Sequence, residues 1–196
     1  MVIGILCESI DDFEVFSILV RRLIGDEVVV REFIPYPADG SINSKLEAAS
    51  IKFFKGDFND SEQVDFAIYF SDIDGSSDKK QELIRWVTKH NKENPHRPII
   101  TAFAEPHFEQ WFISEYDCLI SVLQDVPTVL PFSNCVPKEM LKRIILKYNP
   151  EMEVSSKEIR ERLAENVNLN SLKIRESDFQ VFSNELLTVI RNIQNC

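Results

Sequence analysis

The sequence predicts one α/β domain of Rossmann-like form, a mainly parallel sheet flanked by helices and followed by a helical C-terminal extension. Three observations carry this expectation. Short apolar runs alternate with segments whose apolar residues recur at helical spacing, which is the pattern of repeated βαβ units. The 196 residues are enough for one substantial core and too few for two ordinary domains joined by a linker. A hydrophobic fraction of 44%, with 14 Phe against 5 Gly, belongs to a packed protein rather than a disordered one.

Residues 2–7 read as a buried strand, and residues 11–23 as a helix with Phe13, Phe16, Leu19, Val20 and Leu23 along one side. A second strand covers 28–34; Pro35, Pro37 and Gly40 then open a loop that leads into a helix around 45–55. The third strand, 65–70, runs out into Ser71-Asp72-Ile73-Asp74-Gly75. Leu83, Ile84, Trp86 and Val87 give 78–91 a helical face, and a short fourth strand at 98–103 precedes Glu105-Pro106. The apolar run 118–123 fits one more strand.

Beyond it the chain reads as helical. Pro137 suits the first position of a helix reaching about residue 148. Ser155 and Glu158 have the spacing of a capping box for a helix to about 167, and a last helix spans 177–193. The expected division is an α/β core over 1–136 and a helical extension over 137–196 packed on the same domain.

Composition narrows the function. Cys7, Cys118, Cys135 and Cys196 form no C-x-x-C pair, so neither zinc nor a disulfide framework is indicated, and reduced thiols in a cytoplasmic protein fit best. The first apolar run is interrupted by Glu8 and lacks a basic leader, which makes it a strand and not a signal peptide. No stretch approaches the roughly 20 apolar residues of a membrane span. A net charge of −10 weighs against a chain that grips nucleic acid alone, because such affinity comes mainly from Lys and Arg on phosphates. Bound metal or a basic partner chain would offset that charge.

In an open α/β sheet, ligands bind beyond the carboxyl ends of the strands. Three of those ends are acidic here: Glu8 after the first strand, Asp72 and Asp74 after the third, Glu105 and Glu109 after the fourth. In extended backbone Asp72 and Asp74 point to one side and Ile73 to the other. Carboxylates that close repel unless a cation lies between them, and an all-oxygen set suits Mg²⁺ or Mn²⁺. The bland readings are an ordinary D-x-D-G turn, N-capping of the first helix by Asp11 or Asp12, and a Glu8 carboxylate accepting that helix's N–H groups.

Toprim domains carry a Glu after the first strand and an Asp-x-Asp after a later one, and this sequence resembles them in Glu8 and Asp72-Ile73-Asp74. Cys7-Glu8-Ser9-Ile10-Asp11-Asp12 resembles the V-E-G-x-T-[DE] start of the OLD-type and RloB-like branch, with Asp12 at the second acidic position and Ser9 where that branch usually has Gly. Ala104 through Phe112 is similar to the P-x-F-E-x-W motif of RloB-like proteins, which maps onto Glu109. The segments from Leu163 to Leu169 and from Ser177 to Phe182 also look like that family's closing helices.

The resemblance implies a metal-dependent nuclease acting on DNA or RNA, of the kind found in bacterial anti-phage defence beside an ATPase, and possible as a homo-oligomer. No G-x-x-x-x-G-K-[ST] occurs, so the ATPase would be a separate polypeptide. Glu8, Asp72 and Asp74 would bind Mg²⁺ or Mn²⁺, with Asp12 and Glu109 supporting a second ion or orienting water.

His107 reads as a structural hydrogen-bonding residue and stays outside the catalytic set. Trp111 and Phe112 read as packing for the helix that carries Glu109. Lys138, Lys142, Arg143 and Lys147 read as a solvated basic face. Two other classes compete: a catalytically silent Toprim scaffold, which the acidic charge favours, and a phosphoacceptor receiver built on Asp11, Asp12, Asp72, Thr101 and Lys138.

Overall fold

The structure is a computed structural model that describes residues 1–7, 9–25, 28–33, 54, 64–123, 126, 135–148 and 156–195. Four strands form one sheet: β1 (Val2–Leu6), β2 (Val29–Phe33), β3 (Phe66–Asp72) and β4 (Ile99–Ala104). They lie in the order β2-β1-β3-β4, and every pairing is parallel. The helices are α1 (Ile10–Ile24), α2 (Ser77–Glu93), α3 (Glu109–Ile113), α4 (Tyr116–Val122), α5 (Pro137–Tyr148), α6 (Ser156–Asn166), α7 (Leu169–Arg175) and α8 (Ser177–Gln194). The arrangement is Rossmann-like, as the alternation of periods predicts.

Strand alternation divides the core into two. Ile3, Ile5, Phe66, Ile68, Phe70, Ile100 and Ala102 face a cluster shared with α1 and with the C-terminal helices through Leu163, Leu172, Phe179, Phe182 and Leu186. Leu6, Ala67, Tyr69, Ile99 and Phe103 face Leu83 and Val87 of α2 on the other side. Both faces are thus covered, which explains why the strands read as continuous apolar runs rather than alternating ones.

Local chemistry sets the element ends. The Ser9 side chain accepts the Asp12 N–H at 3.1 Å, and its hydroxyl donates to Asp12 Oδ2 at 2.7 Å, so α1 starts at Ile10 under a Ser cap. Asp11 therefore lies within the first turn, which corrects the expectation that it caps the helix. At the other end Gly25 has φ 98, a conformation that L side chains rarely adopt, and its N–H closes on Arg21 O.

The run 118–123 is not a strand. Residues Tyr116–Val122 form α4, because Cys118, Leu119 and Leu123 are buried on one side while Ile120 is 45% exposed, a distribution only a helix gives. A short apolar run suits either structure, and here helix packing decides. Of the helix expected around 45–55, only Phe54 is described, as a buried residue stacked on His90. The remainder of that segment lies outside the described residues, as do Ile34 and the expected cap Ser155.

Among the described residues, Cys7, Cys118 and Cys135 form no disulfide. The Cys118 thiol donates to Leu163 O at 3.3 Å, and burial, then the charge of Glu115, push it up to about 12. Iodoacetamide at pH 8 is therefore expected to label half-buried Cys135 and spare Cys118 in the native protein. Equal labelling of the two, read by peptide mass spectrometry, would show that the α4–α6 contact opens readily.

Candidate metal centre

The strand order reverses between β1 and β3: the chain leaves β1 for a neighbour on one side and returns to pair on the other. The carboxyl ends of these two strands flank the crevice where ligands bind in open α/β sheets. Asp72 is the last residue of β3, and the segment from Ser9 to Asp12 follows β1. Glu8 lies outside the described residues.

The end of β3 is held by the loop after β4. Ile73 N–H donates to Ala104 O at 3.1 Å and Asp74 N–H to Pro106 O at 3.0 Å, extending the pairing that sets Asp72 opposite Ala104. Ile73 is fully buried in the α2-side core, so it points away from the site as expected. The chain then turns through Asp74 at φ 52 and Gly75 at φ 71. Asp and Gly tolerate this left-handed conformation better than other residues do. The D-x-D-G segment is thus a turn, and the turn itself delivers the second carboxylate.

His107 completes the group. Its Nδ1 is 3.1 Å from Asp74 Oδ1 and 3.6 Å from Asp72 Oδ2. Phe108 N–H donates to Asp72 Oδ1 at 2.9 Å, orienting that carboxylate. One ligand atom from each of Asp72, Asp74 and His107 falls within 4.8 Å of the others. Burial, then the charges of Glu109 and Asp12, push the Asp72 carboxyl from its ordinary 3.8 up to about 6; the Phe108 N–H and His107 offset this in part. The site is short of positive charge.

The other acids are placed differently. Asp12 Oδ1 lies 2.9 Å from Arg160 Nη1, and Glu109 Oε1 lies 3.4 Å from the same nitrogen. Asp11 Oδ2 stands 3.8 Å from Nη2. Glu105 pairs with Lys80, which also binds Asp178 on α8. Asp12 and Glu109 therefore border the ligand group without joining it.

Of the remaining expectations, Trp111 and Phe112 are fully buried and act as packing. Lys138, Lys142, Arg143 and Lys147 are exposed along α5, and the first two line a cavity of about 370 Å³ beside Arg160. Thr101 pairs with Tyr69 in mid-strand, three residues short of the carboxyl end of β4, which counts against a receiver-type site.

Sequence reasoning missed two participants. His107 is brought in by the loop contacts to Asp74, and a His after a strand carries no mark of that. Arg160 reaches Asp12 across 148 residues, a separation that no local pattern signals. Comparison with family models, with curated proteins and with solved structures returned no match.

Proposed function

We propose that this chain is a divalent-cation-dependent nuclease of Toprim type, cutting DNA or RNA at a site where Asp72, Asp74 and His107 hold the ion. The observation that carries the reading is the convergence of these three ligand atoms at the carboxyl ends of β3 and β4, where burial and neighbouring acids leave the Asp72 carboxyl short of a counter-charge. Two carboxylates and an imidazole are a donor set that divalent first-row metals accept. A bound ion would polarise a phosphoryl oxygen and make a nearby water more acidic.

The protein's own groups have separable parts in this scheme. Phe108 N–H and the β3–β4 pairing hold Asp72 in one orientation, so the ligand position needs no reordering when the ion arrives. Asp74, 57% exposed at its side chain, faces solvent, from which a substrate phosphate must come. His107 adds a nitrogen to the oxygen ligands, which shifts the expected preference from Mg²⁺ toward Mn²⁺. Glu8 completes the set in the Toprim resemblance, and a separate ATPase partner and a role in anti-phage defence belong to the proposal through that resemblance alone.

A second reading, a subunit that no longer cuts, is favoured by the net charge of −10. Labelled DNA and RNA incubated with the chain in Mn²⁺ or Mg²⁺ separate the two. Cleavage is expected to be faster in Mn²⁺, to fall at least about 10²-fold in Asp74→Ala, and in His107→Ala to lose more with Mn²⁺ than with Mg²⁺. Cleavage undiminished in Asp74→Ala would remove the mechanism. No cleavage under any cation, even with the ATPase added, would favour the silent subunit.

A further inference from the structure

Beside the ligand group sits a second set of acids, and a cation of the protein's own already lies among them. Arg160 projects from α6, whose Ile159, Leu163 and Ala164 are buried in the main core, and its side chain is 12% exposed. Its Nη1 is 2.9 Å from Asp12 and 3.4 Å from Glu109, the latter 7% exposed at its side chain. Both Asp12 oxygens are engaged: Oδ1 faces Arg160 and Oδ2 accepts the Ser9 hydroxyl at 2.7 Å. A guanidinium does not lose its proton in proteins, so this positive charge is permanent.

We infer that the centre takes a single divalent ion, and that Arg160 stands where a second ion would otherwise be held by Asp12 and Glu109. The inference rests on the proposed metal site and specifies its composition. A divalent ion entering between Asp12 and Glu109 would meet a fixed positive charge within 2.9–3.4 Å of their oxygens and would have to displace it from them. Among the described residues, the group of three converging metal ligands contains neither Asp12 nor Glu109. Arg160 also lines a cavity of about 370 Å³, where Lys138 and Lys142 stand with Asp11, Asp12, Glu109 and Glu139, so its charge is spent on neighbouring acids within that space.

The test counts ions. Mn²⁺ titrated into the full chain, with free Mn²⁺ followed by its paramagnetic resonance signal, is expected to give one bound ion per chain, and two in Arg160→Gln. Two ions in the unaltered protein would overturn the inference and leave the metal site standing. One ion in both proteins would show that the guanidinium is not what excludes the second. No ion at all would overturn the proposed metal site itself, and this inference with it. Should Arg160→Gln fail to fold, Asp12→Asn decides: it is expected to shift Mn²⁺ affinity less than about twofold, while Asp74→Asn weakens it at least about tenfold. Equal weakening by both would make Asp12 a ligand and end the inference.

Discussion

Asp72→Asn is expected to stabilise the cation-free protein at pH 7 while reducing cation-dependent cleavage at least about 10²-fold, two effects of opposite sign from one atom's change. The carboxyl titrates near 6 in the folded protein against an ordinary 3.8. The folded state therefore binds more protons than the unfolded one between these values, so stability falls as pH rises through the window. Protonated Asp72 contributes fully below about 3.8, and that contribution is gone once pH passes about 6. The difference corresponds to a ceiling of roughly 3 kcal/mol, and partial solvent access reduces it to about 1–2 kcal/mol.

Asn keeps an oxygen for the Phe108 N–H and removes the charge, so it isolates the electrostatic cost. Urea denaturation in EDTA should show the variant gaining at pH 7.5 and little changed at pH 4. A gain of the same size at both pH values would mean that charge is not its source. The proton on Asp72 also competes with the ion, so Mn²⁺ affinity of the unaltered protein should weaken as pH drops below 6.

How much of this was legible depended on whether the signal was local. The strands and long helices declare themselves because both sheet faces are covered, leaving unbroken apolar runs for strands and a 3.6-residue period for helices. The D-x-D at the end of β3 was readable for the same reason, since the strand's end marks the ligand-binding edge. The helix that carries Glu109 was read as well, but the short helices α4 and α7 were not, because seven residues carry too little periodicity to outweigh other readings. The bonds from Ile73 to Ala104 and from Asp74 to Pro106 draw His107 in, and they depend on the register of β3 against β4. Arg160 depends on how α6 docks on α1. Both are tertiary facts with no counterpart in residue spacing.

The same aromatic cluster that closes the core also supports the site, and Phe16→Ala is the change that exposes this. Phe16 is fully buried, stacked on Phe70 at 4.3 Å and 17°, with Phe182 at 5.3 Å and Phe108 at 6.3 Å. Truncation to Ala is expected to cost about 3–5 kcal/mol in urea denaturation, from lost burial plus the cavity left among rings that cannot all collapse inward. Phe70 lies two residues before Asp72, and Phe108 supplies the N–H that orients it, so loosening these rings loosens the ligand. Leu83→Ala, in the core on the opposite face of the sheet, should cost about 2–5 kcal/mol without touching that support. Compared under conditions where both variants remain folded, Phe16→Ala should weaken Mn²⁺ binding and Leu83→Ala should not. Equal affinities would show that the proposed metal centre is held by the β3–β4 pairing alone and owes nothing to the rings beneath it.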